Sequence, residues 1–153
     1  MRVRQAVIDD VLAIQGLNRE LDGFHGDLWP GVFGRLEGDA RGDSVILDWI
    51  NGADSDYLVA EEDGRVVGFL SIRKAARPGY AMFRPGDFAM IEDVVVAASC
   101  RGSGVGTRLF EAAVGWARER GLGAVQTMVW SANEGAREFY LGRGNRIWPL
   151  IFG

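Results

Sequence analysis

Arg101-Gly102-Ser103-Gly104-Val105-Gly106-Thr107 follows an apolar run, Met90-Ile91-Glu92-Asp93-Val94-Val95-Val96, and opens a segment of helical periodicity from about Gly104 to Arg120. Three glycines in five positions remove Cβ atoms where a backbone has to come close to a ligand. The helix behind them aims its unsatisfied N–H groups and the positive end of its dipole into the loop. With Arg101 beside it, such a nest suits a phosphate or pyrophosphate. The spacing excludes two common nucleotide loops. A P-loop needs Lys and then Ser/Thr after its last glycine, whereas Gly106 is followed by Thr107 and Arg108. A dinucleotide fingerprint reads G-x-G-x-x-G on the first strand of a βαβ repeat. This loop reads G-x-G-x-G and lies two-thirds of the way along the chain.

Farther on, Ala124-Val125-Gln126-Thr127-Met128-Val129-Trp130 reads as a strand leading into Asn133-x-x-Ala136-x-x-Phe139-Tyr140-x-x-x-Gly144. Arg101-x-x-Gly104-x-Gly106 resembles the acyl-CoA pyrophosphate loop of the GNAT superfamily of N-acetyltransferases, and the second segment resembles that family's following motif, in the same order and at the same separation. The likeness is strong from about residue 88 to 144 and weak before residue 55. Three departures stand out: Asn145 where the family usually has an aromatic residue, Cys100 where Tyr, His or Trp often precedes the loop, and a chain ending at Gly153, which leaves the family's last strand missing or supplied in another way.

The rest of the chain gives a compatible layout. Val3 to Val7 reads as a short strand. Asp9 or Asp10 can cap a helix whose apolar face is Val11, Leu12, Ile14, Leu17 and Leu21. Residues 22–43 mix glycine and acid with Phe24, Trp29 and Phe33, and Ser44 to Ile50 reads as a short helix. Tyr57 to Glu61 and Val66 to Ile72 flank a hairpin turn at Glu62-Asp63-Gly64-Arg65. Residues 74–87 form a loop, followed by a strand at 88–97, the long helix, a strand at 124–130, a helix at 133–142 and a last strand from Arg146 to Phe152. The order β-α-α-β-β-β-α-β-α-β is the one the resemblance implies: an α/β GNAT fold, a single mixed sheet flanked by helices, one domain over residues 1–153.

Composition narrows the function classes. The chain has 153 residues, one cysteine and one histidine, His25. A zinc cage or a Ser-His-Asp triad has little to draw on, and no metal is expected. No apolar run approaches the ~20 residues that cross a bilayer, so no membrane partner is expected. The absence of a signal-peptide pattern and of any disulfide pair agrees with a cytoplasmic protein. A net charge of −4 argues against nucleic acid and mildly favours a cationic substrate.

Acetyl transfer to an amine needs a held thioester, a neutral nucleophile and a proton for the departing thiolate. An alkyl amine with a pKa of ~10.4 is neutral in only about one molecule in two thousand at pH 7, so a base has work to do. Glu92 and Asp93 are the candidates, two successive carboxylates in a strand that should be central and covered on both faces. Strict alternation would send them to opposite faces. Glu92 resembles the position that diamine and polyamine acetyltransferases use as a base, acting through water; for either carboxylate the other reading is structural or substrate-orienting. The resemblance makes Tyr140 the general acid, against a reading as a core aromatic with a satisfied hydroxyl. It makes Arg101, Gly102, Ser103, Gly104, Val105, Gly106 and Thr107 the pyrophosphate cradle, and the backbone of Val94 and Val96 the partner of the pantetheine arm. Asn133 is read as a helix cap, a cofactor contact, or both. Cys100 reads as incidental, and direct transfer in a ternary complex follows.

The expected co-substrate is acetyl-CoA and the expected acceptor a small-molecule primary amine. Acetylation of a protein N-terminus or lysine is an alternative, as is a non-catalytic acyl-CoA-binding or sensing role. Residues 22–43, with acid and aromatics, would lie over the acceptor site, and Arg73, Lys74, Arg77 and Arg84 form a basic counterpart. The apolar run Ile147-Trp148-Pro149-Leu150-Ile151-Phe152 calls for cover, hence an expected homodimer.

Overall fold

Asp63 and Gly64 carry the strongest local instruction in the chain. Both adopt positive φ, 49° and 74°, the pair of values a two-residue hairpin turn requires. They join β2 (Ser55–Glu62) to β3 (Arg65–Ala76) in antiparallel register, with Leu58 opposite Leu70 and Val59 opposite Phe69. The computed structural model describes residues 1–28, 31, 41–82, 84–127 and 134–142. Within them, β1 (Arg2–Gln5) lies antiparallel to β2, and β4 (Asp87–Val96) lies antiparallel to β3. β5 (Val125–Thr127) runs parallel to β4 through Ala89↔Val125 to Ile91↔Thr127, completing a mixed sheet in the order β1-β2-β3-β4-β5. Residues 128–130 and the expected last strand, Arg146 to Phe152, lie outside the described residues.

Each face of the sheet has its own core. On one face α3 (Val105–Glu119) buries Val105, Leu109, Ala113, Trp116 and Ala117 against Leu58, Ala60, Leu70, Ile72, Ala89 and Ile91, as its i, i+3, i+4 pattern dictates. Gly68 lets this helix come close: a Cβ there would meet Val95 O at 2.9 Å and the Val105 side chain at 3.0 Å. On the other face α1 (Val11–Leu28) and α2 (Asp43–Asn51) pack Val11, Ile14, Leu17 and Ile46 on Tyr57, Val59, Phe69 and Val95. Leu12 does not join that core; it is 81% exposed, about 100° round the helix from Val11. α1 also continues through residues 22–28, which composition alone had grouped with the following segment. Once a helix is nucleated and packed along Ile14 and Leu17, a glycine costs only about 1 kcal/mol.

The strand β4 departs from strict alternation, and the site depends on it. Ser71 pairs with Asp93 but Ile72 pairs with Ile91, so Glu92 is an extra residue in a β-bulge. The side chains record the change of phase. Ala89 and Ile91 sit in the α3 core, and so do Val94 and Val96, while Val95 sits in the α1 core. Glu92 and Asp93 therefore fall together on the α1 face, which corrects the expectation of opposite faces.

Ion pairs tie the layers at the other side of the sheet. The Arg4 guanidinium reaches Asp10 at 2.7 Å and Glu61 at 2.8 Å, joining β1, β2 and the turn before α1. Asp10 also accepts the Val7 N–H at 2.8 Å. Trp116 Nε1 donates to Asp56 at 3.1 Å, pinning α3 to β2, and Gln5 Nε2 donates to it at 2.9 Å; burial pushes the Asp56 carboxyl up, against these donors. Asp10 behaves in the opposite way, since the hydrogen bonds from Arg4 hold its carboxyl below its ordinary value. A lowered folded-state value stabilises above the ordinary carboxylate range, and the gain is lost as pH falls through the folded value. Asp10→Asn is expected to cost about 1–3 kcal/mol at pH 7 in urea denaturation, and the gap from wild type to close as pH falls below about 4.

Candidate active site

The loop at residues 101–107 sits where β4 ends and α3 begins, at the strand where the sheet changes from antiparallel to parallel pairing. A short 3-10 turn, Ala98–Cys100, carries the chain out of β4, and the Glu20 carboxylate from α1 accepts the Ala98 N–H at 3.3 Å. Gly102 and Gly104 then adopt φ of 80° and 88°, a left-handed backbone that a side chain resists by about 1–2 kcal/mol. Among the described residues, a Cβ on either would meet nothing within 4 Å, which leaves room for a ligand. Gly104 is the N-cap of α3 and offers no side chain to the first turn, whose N–H groups have no partner within the helix. Ser103 Oγ donates to Cys100 O at 2.5 Å and Arg101 Nε donates to Val96 O at 3.2 Å, which closes the loop back on the strand. These features fit an anionic phosphate group: a glycine backbone uncovered by side chains, a helix N-terminus and an exposed guanidinium.

Gly106 has a different reason to be glycine. A Cβ there would come within 3.2 Å of the Phe139 ring, so α4 (Glu134–Leu141) lies close against the first turn of α3. Tyr140 follows Phe139 and is half-buried, its ring edge-on to Phe139 at 5.1 Å and to Phe110 of α3 at 5.9 Å. The expected acid thus stands beside the loop, on the α3 side of the sheet. Asn133 lies outside the described residues.

In the β3–β4 ladder Ala97 N donates to Val67 O at 2.9 Å. Antiparallel alternation then turns the amides of Val95 toward β3 and those of Val94 and Val96 away from it, toward the β5 side. That is the orientation an extended ligand arm alongside β4 requires.

On the opposite face the bulge gathers charge. Glu92 is exposed and pairs with Arg73 of β3 at 2.5 Å. Asp93 pairs with Arg41 at 3.2 Å, and Arg41 reaches Asp22 of α1 at 3.6 Å and Asn18 Oδ1 at 3.2 Å. Ser71 Oγ accepts the Asp93 N–H at 3.1 Å. The Tyr57 phenol is part of this group: burial pushes it up to about 12, with Arg41 pulling down and Asp93 pushing up. Of the expected basic loop, Arg73 and Lys74 belong to β3, and Lys74 pairs with Asp87 at 3.4 Å. Sequence pattern did not single out Arg41, Asn18 or Gln15. The one available signal was a polar stripe at 15, 18 and 22 on an otherwise core-facing helix. The side chains of residues 24–26 and the chain at 29–30 and 32–40, including Phe24, His25, Trp29 and Phe33, lie outside the described residues.

Comparison with known proteins follows this geometry. Residues 21–144 match the model of the Acetyltransferase (GNAT) family. An uncharacterized N-acetyltransferase of Archaeoglobus fulgidus is 31% identical over 99 residues, a match that covers 64% of this chain and 65% of that protein. The tetramutant of the BH1408 protein from Bacillus halodurans superposes with a TM-score of 0.91 at 23% identity, over 100% of this chain and 98% of that one. An aminoglycoside N-acetyltransferase solved in complex with CoA has a TM-score of 0.75 at 16% identity, over 99% and 97% of the two chains. With a family model matching most of its length and the same mixed sheet, the chain belongs to the GNAT acetyltransferase family.

Proposed function

We propose that the chain is an acetyl-CoA-dependent N-acetyltransferase that transfers acetyl directly to a primary amine of a small molecule within a ternary complex. The observation that carries this is the left-handed glycine loop at the start of α3, with Tyr140 held beside it through Gly106 and Phe139. Residues Arg101, Gly102, Ser103, Gly104, Val105, Gly106 and Thr107 would hold the pyrophosphate of acetyl-CoA. The backbone groups of Val94 and Val96 would pair with its pantetheine arm, and Asn133 would add a contact. The Val96 carbonyl has a second lone pair for this beside the one facing Arg101. That an aminoglycoside N-acetyltransferase of the same fold was solved with CoA supports the choice of co-substrate and a small-molecule acceptor.

The two faces of β4 divide the chemistry. Tyr140 approaches from the α3 side, where the thiolate would leave, and its phenol is close in basicity to a thiolate, so proton transfer is well matched. Glu92 lies on the α1 side, from which the amine would attack, and would take the ammonium proton through water. Its carboxylate is engaged by Arg73, and that ion pair is the feature that favours the second reading, an acyl-CoA-binding domain without turnover. We further propose one domain over residues 1–153 and a homodimer that covers the segment 147–152. Light scattering that finds only monomer at micromolar concentration would remove the dimer.

Three measurements test the reading. Acetyl-CoA with pooled small amines in one tube and pooled peptides in another should yield acetylated product, detected by mass spectrometry, among the amines; product only among peptides would make the acceptor a protein. Tyr140→Phe and Glu92→Gln are each expected to lower kcat by about 10²-fold or more, with calorimetric acetyl-CoA affinity unchanged. If neither lowers turnover, both roles fall. Gly104→Ala should weaken acetyl-CoA binding by about tenfold, since its strain of about 1–2 kcal/mol falls on the loop that binds.

A further inference from the structure

Three side chains on one stripe of α1 are polar where the helix otherwise faces a core: Gln15, Asn18 and Asp22. Gln15 and Asn18 are each 2% exposed, a burial that polar groups resist unless satisfied. All three converge on one residue. Gln15 Nε2 donates to the Arg41 carbonyl and, at 3.1 Å, to Asp43. Asn18 Oδ1 accepts from Arg41 Nη1, and the Asp22 carboxylate flanks the same nitrogen. The other guanidinium nitrogen, Nη2, is within 3.2 Å of Asp93 at the bulge. Arg41 is thus gripped at its carbonyl and at its guanidinium by α1, and it grips the sheet at the residue next to the bulged position.

A planar guanidinium with two faces occupied fixes direction as well as charge. Asp93 is the residue where the ladder with β3 resumes after the bulge, and its N–H goes to the Ser71 hydroxyl. Two buried atoms in this cradle, Gln15 Oε1 and Asn18 Nδ2, have no hydrogen-bond partner among the described residues. Both atoms are closed off from the surface, so an enclosed water rather than the acceptor would complete them.

From these contacts we infer that Arg41 is a positioning residue, which orients the Asp93 carboxylate at the β4 bulge to receive the ammonium form of the acceptor. The inference rests on the proposed amine transfer and adds a second carboxylate to it. Glu92 takes up the proton, and Asp93, aimed by Arg41, holds the amine in place. The acceptor class that follows is a cationic primary amine.

A double-mutant cycle of Arg41→Met and Asp93→Asn on the full chain tests this. It is read by acetyl-CoA calorimetry, by urea denaturation, and by kcat and KM for the amines that wild type acetylates in the pooled screen. Each single variant is expected to raise the amine KM about tenfold or more, with acetyl-CoA affinity within about threefold of wild type. The double variant should be no worse than the poorer single one, and Arg41→Lys should recover only part of the loss. Additive losses would overturn the inference, because Arg41 would then act independently of Asp93. So would an unchanged KM with only stability reduced, which is the signature of a structural clamp. A wild type that acetylates no amine defeats the proposed function and the acceptor role with it. Denaturation would then still decide whether Arg41 and Asp93 are coupled.

Discussion

One inserted residue governs this molecule. Without the bulge at Glu92, strict alternation along β4 would carry Glu92 into one face and Asp93 into the other, and one of the two would meet the apolar core under α3. A carboxylate there would be unpaired and desolvated. The bulge lets β4 keep Ala89 and Ile91 in that core, return Val94 and Val96 to it, and still present both acids to the polar side. It also sets which backbone amides beyond it face away from β3. Packing, charge placement and the direction of the strand's amides are thus consequences of a single change of phase.

The two ends of the site are stabilised in different ways. The loop at 101–107 is built from backbone: glycines with positive φ, a helix start, and side chains that tie the loop to itself. It uses little side-chain chemistry and so suits a co-substrate handle such as a pyrophosphate. The opposite face is built from long charged side chains contributed by α1, β3, β4 and the residues before α2. Such side chains are set residue by residue, so a fold can keep one co-substrate site while its acceptor site varies.

Much of the fold was legible in the sequence because its signals are local. The Asp63-Gly64 turn, the i, i+3, i+4 face of α3 and the glycines before it depend on near neighbours, and each stands where its pattern put it. The bulge was not legible. Met90-Ile91-Glu92-Asp93-Val94-Val95-Val96 has no glycine or proline to mark it, and only the pairing with β3 reveals that one residue is extra. Arg41 was hidden for a similar reason. Its partners are 19 or more residues away, and an arginine in a glycine-rich stretch looks like a solvated one. Tyr140 came from a motif, and the structure adds the ring contacts that hold it beside α3.

The pairing of charges around the bulge has a consequence for encounter rates. Glu92 faces Arg73 at 2.5 Å and Asp93 faces Arg41 at 3.2 Å, so each pair looks like a dipole from outside. A dipole's field decays much faster than that of a lone charge, and at 0.1 M salt screening adds a Debye length of ~10 Å. An approaching amine would feel the chain's overall charge of −4 first and these carboxylates only at contact. For the proposed amine acceptor, discrimination would then be exercised after arrival, through residence time, while capture rates would stay similar across cationic candidates.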